Sequence, residues 1–81
     1  MTLHYPDFRR IAIDPAVCMG KPHIAGTRMP VASILAYLAG GMTVDEFLVE
    51  FSWLKRDDVL EVLAFASVLA DEQVVALESV V

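Results

Sequence analysis

A chain of 81 residues makes one small domain, which hides only about 60% of the surface that its unfolded form exposes, yet 57% of its residues are hydrophobic and its mean hydropathy is +0.58. That is more apolar side chain than one small interior takes in, so self-association or a dedicated partner is expected. A net charge of −5 excludes a protein that coats nucleic acid indiscriminately, but the average hides an asymmetry: residues 1–30 carry +2 and residues 31–81 carry −7.

The longest apolar stretch, Val59 to Ala70, is interrupted by Glu61 and Ser67 and falls short of the ~20 residues that span a bilayer. The first residues lack a basic run followed by an apolar core, so no signal peptide is expected and the protein is read as cytoplasmic. A lone cysteine, Cys18, makes no internal disulfide, which fits a reducing compartment.

In chain order, residues 1–9 are mixed and aperiodic and read as an N-terminal arm. Arg10 to Ile13 has the alternation and branching of a short strand, closed by Asp14-Pro15. From Gly20 to Pro30 the chain packs two glycines, two prolines and two permanent cations into eleven residues. Glycine opens backbone angles closed to other residues, and proline fixes φ and disfavours helix at the residue before it. This stretch is therefore a shaped, non-helical element with hairpin-like turns.

From Val31 the period turns helical. Val31, Ile34, Leu35 and Leu38 share one face, with Pro30 at the start and Gly40-Gly41 as the stop, predicting a helix over 31–40. Thr43 and Glu46 form a capping box for a helix over 44–51. A three-residue turn, 52–54, leads to a third helix over 56–70 with Asp57 and Asp58 in its first turn, and two helices so joined read as helix-turn-helix. Ten of the twelve residues from Val59 to Ala70 are apolar, so this helix is expected to be covered on two faces, one by this chain and the other by a second subunit. Residues 71–81 form an apolar extension, and Phe65, Val68, Leu69, Val74, Val75 and Leu77 are the expected contacts of an oligomer or partner interface.

The chemistry-bearing residues point away from catalysis. A phosphate loop would need Ser or Thr after Lys21 and Gly at position 15, where the chain has Pro22 and Pro15. Cys18 beside Val17 and Met19 reads as a small buried hydrophobe rather than a nucleophile, and two histidines without a third ligand spacing do not predict a metal site. No catalytic residue, cofactor or metal is expected. Arg9, Arg10, Lys21 and Arg28 are the candidate contacts for DNA, another anion or a partner. Arg28, on a constrained backbone, suits a phosphate or partner carboxylate, with an internal salt bridge to the helical acids as the alternative. Base reading by the third helix is disfavoured, because Asp57, Asp58 and Glu61 follow Lys55 and Arg56 where phosphates would lie.

The run Ile13-Asp14-Pro15 through Cys18-Met19-Gly20-Lys21-Pro22-His23-Ile24-Ala25-Gly26-Thr27-Arg28-Met29-Pro30-Val31, followed by the leucine-rich helix, the double glycine, the Thr-x-x-Glu box and the Leu54 to Val59 turn, resembles the domain-of-unknown-function 433 family over about residues 9–70. Gly20, Lys21, Pro22, Gly26, Thr27, Arg28 and Pro30 match its signature. The resemblance implies a mainly α, three-helix homeodomain-like bundle with a short N-terminal β element. It also implies a role as the antitoxin of a type II toxin-antitoxin pair whose toxin is a PIN-like ribonuclease. The alternatives are a DNA-binding regulator without a toxin and a plain dimerisation module. Three positions depart from the pattern: Met19 where the family often has glycine, Ala25 where a basic residue is common, and Lys55 where a capping Thr or Ser is usual.

Overall fold

The computed structural model describes residues 2–72, and they form a small antiparallel sheet packed on three helices. The sheet holds β1 (Leu3–Tyr5), β2 (Phe8–Ile13) and β3 (His23–Ile24) in the order β1-β2-β3. The helices are α1 (Val31–Ala39), α2 (Val44–Glu50) and α3 (Arg56–Glu72), all within two residues of the sequence expectation. The arm expected over 1–9 contains a strand instead. β1 pairs Leu3 with Ile13 and His4 with Ala12, and backbone pairing, not side-chain alternation, specifies it.

β2 is the strand that reaches the core. Ile11 and Ala12 are fully buried between β1, β3 and α3, while Phe8 and Tyr5 stack edge-on against Phe65 of α3 at 5.4 and 4.7 Å between ring centroids. The rest of the core is mostly helical: Ile34, Phe47, Val59 and Val62 close around it, with Leu54 from the turn between α2 and α3 and with Met29 and Ile24 from the connecting hairpin. Phe65, expected at an interface, is 3% exposed and belongs to this core because the β1–β2 hairpin covers it.

Each helix boundary has a local cause. The first free N–H of α1, that of Val31, donates to Pro22 O at 3.0 Å. α2 carries the full capping box: Glu46 N–H donates to Thr43 Oγ1 at 3.1 Å and Thr43 N–H to Glu46 Oε1 at 2.9 Å. α3 has half of one. Lys55 offers no side-chain acceptor, but its N–H donates to Asp58 Oδ2 at 2.8 Å.

Between β2 and β3, Cys18, Met19 and Gly20 stand consecutively at φ of +51°, +57° and +79°. A left-handed backbone costs about 1–2 kcal/mol at each residue that has a Cβ. The turn is held by Gly20 N–H to Val17 O, Lys21 N–H to Cys18 O, and Cys18 Sγ to Arg28 O at 3.2 Å. Cys18 is thus only half-buried and tied by its sulfur to the next loop, not the core hydrophobe its neighbours suggest.

Candidate functional site

Most of the Gly20 to Pro30 stretch is consumed in making its own shape. Ile24 to Thr27 is a tight turn closed by Thr27 N–H to Ile24 O at 3.0 Å, with Gly26 at φ +77° in the third position, where a side chain would be strained. The Thr27 hydroxyl donates to Ile24 O at 2.7 Å and accepts from Met29 N–H at 3.0 Å, so it is spent as a clamp. Ile24 N–H donates to Met29 O, and Pro30 sits opposite His23 as an isolated bridge that ends in α1. His23 is 3% exposed, and its Nδ1 lies 3.2 Å from Lys21 O; facing a carbonyl, Nδ1 is the donor.

Lys21 and Arg28 are left over. Both are exposed, and among the described residues neither forms an ion pair or a side-chain hydrogen bond. The expected alternative, in which Arg28 bridges to a helical acid, is therefore not realised among the described residues. Arg28 instead lines an open cleft of about 330 Å³ with Thr2, Asp14, Val17, His23, Gly26 and Thr27. Asp14 faces this cleft with its charge well supported. Ala16 N–H at 2.9 Å, the Thr2 hydroxyl at 3.0 Å and the nearby His23 hold its carboxyl below the ordinary aspartate range.

The four cations of the first thirty residues do not converge. Arg9 lines a cleft at the β1–β2 turn with His4, Tyr5 and Pro6. Lys21 borders an apolar groove of about 220 Å³ formed with Pro22, Val31, Ala32, Leu35, Phe65 and Leu69. Arg10 is spent inside the chain: Nη1 bonds Asp58 Oδ1 at 3.0 Å, Nη2 is 3.7 Å from Asp57, and its backbone N–H donates to Glu61 Oε2 at 2.8 Å. The hydrogen bond to Asp58 raises its pKa further above the ordinary arginine range. This lock between β2 and the first turn of α3 uses the acids that made α3 a poor groove reader. Arg56 is occupied too, paired with Asp45.

This chain covers α3 on one of the two faces expected to be covered. Asp58, Val59, Val62 and Phe65 face the core, whereas Leu60, Leu63, Val68 and Leu69 are exposed. Of the expected interface residues, Val68 and Leu69 lie on this free surface; Val74, Val75 and Leu77 lie outside the described residues. Sequence reasoning missed a second apolar surface at the other end of the bundle. There Tyr37, Phe47, Phe51 and Trp53 stack in a chain that ends in solvent. Its signal was the pair of aromatics, Phe51 and Trp53, in a turn too short to bury both. No described helix is long and apolar enough to cross a membrane.

The chain is thus a bundle of three helices, with a short antiparallel sheet locked to the last of them and a rigid proline-glycine loop feeding the first. The family model described as protein of unknown function (DUF433) matches residues 11–66, and the chain belongs to that family. The matched span runs from β2 through the core-facing part of α3. Neither curated proteins nor solved structures gave a match.

Proposed function

We propose that this chain is the antitoxin of a type II toxin-antitoxin pair, acting in the cytoplasm as a homodimer that neutralises a PIN-like ribonuclease by protein-protein binding. The observation that carries the reading is the apolar surface left on a small acidic bundle, above all the exposed side chains of Leu60, Leu63, Val68 and Leu69 on α3. Exposed apolar side chains in such number call for a second protein chain. The −7 charge of residues 31–81 suits the cationic surface with which a ribonuclease holds RNA. In this reading the helices form a homeodomain-like helix-turn-helix bundle, and binding blocks the toxin's access to substrate. Co-expression with a PIN-like ribonuclease encoded beside it tests it: toxicity should disappear, and toxicity that persists undiminished, or a neighbourhood without such a gene, sinks the proposal.

A second reading, DNA binding for autoregulation or as a regulator without a toxin, is favoured by one observation. Arg9, Lys21 and Arg28 are exposed and without ion pairs among the described residues, and a dimer presents each twice. Binding to the chain's own promoter DNA should then weaken steeply with salt and weaken further in Arg28→Ala. A salt-independent or absent shift removes this reading.

A further inference from the structure

We infer that the apolar groove between α1 and α3 is the seat of residues 73–81 of a second copy of this chain, exchanged reciprocally between the two copies. The groove is where the core opens at one end of the bundle. Along the inward stripe of α3, Val62 is fully buried, Phe65 is 3% exposed and Leu69 is 41% exposed, so the stripe runs past the residues that cover it. Val31, Ala32 and Leu35 of α1 and Pro22 of the preceding loop complete an open cavity of about 220 Å³ with Phe65 and Leu69. A hollow lined by carbon and continuous with a packed core is filled most favourably by apolar side chains. Lys21, at its border, is the one charged residue that lines it, and it makes no ion pair among the described residues.

The sequence supplies an occupant of matching chemistry. Residues 73–81 lie outside the described residues; six of the nine are apolar, and Glu78, the only charge, is opposite in sign to Lys21. They follow Glu72, three residues beyond Leu69, and nine residues reach about 30 Å at full extension. That span reaches either this chain's own groove or a neighbour's. Entering its own groove requires the chain to double back directly after α3. Residues 71–81 hold no glycine, asparagine or proline for such a reversal, and the β-branched pair Val74-Val75 resists the left-handed backbone that caps a helix end. Entering a second copy needs no reversal. A two-fold axis then fills both grooves with one kind of contact, sets Glu78 of each exchanged segment beside the Lys21 of the other copy, and closes the assembly at two.

This inference rests on the homodimer of the proposed function and adds which surfaces make it. The test uses full chains carrying Cys18→Ser, whose hydroxyl stands in for the thiol that bonds Arg28 O. One preparation carries Ala32→Cys and another Leu77→Cys, each shown to melt cooperatively and weighed in solution by light scattering. The two are mixed, equilibrated and treated with a short bismaleimide, with Val49→Cys, on α2, as the control in place of Ala32→Cys. The expected result is a dimer by mass, a 32–77 link between different chains and no 49–77 link. Association should weaken about tenfold or more in Leu77→Asp, which puts an unpaired charge into the hollow. Lys21→Glu should weaken it most at low salt, and adding Glu78→Lys should restore it. A dimer that gives no 32–77 link, or that is as tight in Leu77→Asp as in wild type, overturns the exchange and leaves the homodimer standing. A chain carrying both cysteines that closes the link within a monomer assigns the groove to its own segment and overturns the exchange. A wild-type chain that is monomeric at every concentration overturns the exchange and the homodimer together.

Discussion

Residues 2–30 and residues 31–72 are held in shape by different physics. The helical part is built by burial: Ile34, Phe47, Val59 and Val62 are fully enclosed, and each helix follows from the spacing of such residues. The N-terminal part buries little beyond Ile11, Ala12, His23, Ile24 and Met29, and depends on backbone pairing, tight turns and polar clamps such as Thr27. A fold made in the first way tolerates exposed loops but not lost volume. One made in the second way tolerates lost volume at the surface but not altered backbone geometry. The two parts meet where Arg10 grips Asp58 and where Tyr5 and Phe8 cover Phe65.

The sharpest break should come from volume in the helical part. Phe47→Ala opens a cavity at a fully buried site that also supports the Tyr37–Phe51 stack, and should cost about 3–5 kcal/mol. In so small a domain that is most of the stability. Urea denaturation that shifts by less than 1.5 kcal/mol, a rough floor for such truncations, would show that the helical part is not burial-driven.

Next in size is the junction. Asp58 is buried and serves two donors, Arg10 Nη1 and the Lys55 N–H. Removing it with Asp58→Ala takes the acceptor from the Lys55 N–H and leaves Arg10 with only Asp57 at 3.7 Å and solvent, and should cost about 1–3 kcal/mol. Hydrogen exchange should then rise at β2 and at the start of α3 together. If only one of them loosens, the lock does not couple the two regions.

Backbone geometry gives a smaller change of opposite sign. Met19 is 91% exposed and left-handed, so its side chain contributes almost no packing while its Cβ strains the turn. Met19→Gly should stabilise the chain by about 0.5–1 kcal/mol, the relieved strain less the entropy that glycine adds to the unfolded state. Met19→Ala keeps the Cβ and should change stability little. Equal effects from the two substitutions would mean that the strain is not in the backbone.

The same division explains what could be read from residues alone. Helix positions were legible because burial imposes a period, as at Val31, Ile34, Leu35 and Leu38, and because the Thr43 and Glu46 box is a local hydrogen-bond pattern. β1 was not, since Leu3 and His4 are exposed and only their partners Ile13 and Ala12, ten and eight residues on, define the strand. Lys21 and Arg28 were legible as exposed cations on a shaped loop. The loss of Arg10 to Asp58 was not, because 48 residues separate them and no local pattern links them. Phe65 looked like an interface residue for a related reason: its period marks it as apolar, but only the folded hairpin shows which surface covers it.

The finest test lies at the N-terminus of α3, where a local rule is half obeyed. Asp58 already reaches back to the Lys55 N–H, but Lys55 has no oxygen to accept the Asp58 N–H, which bonds the Lys55 carbonyl at 3.0 Å instead. Lys55→Ser supplies that acceptor and completes the box that α2 has in Thr43 and Glu46. It should add about 0.5–1 kcal/mol, provided the serine adopts the extended conformation that Thr43 shows at the start of α2 (φ −76°, ψ 161°). The control is Thr43→Ala, which deletes the same interaction where it exists and should cost about 1 kcal/mol. The other half of the box is pH-dependent. The Thr43 N–H, before its hydroxyl, holds Glu46 below the ordinary glutamate range, so that contribution is present above the range and disappears as the pH falls through the folded pKa. Thr43→Ala keeps this N–H, so thermal melts of wild type and Thr43→Ala should fall nearly in parallel on acidification, and a gap that closes between neutral pH and about 3 would assign the hold on the carboxylate to the hydroxyl instead.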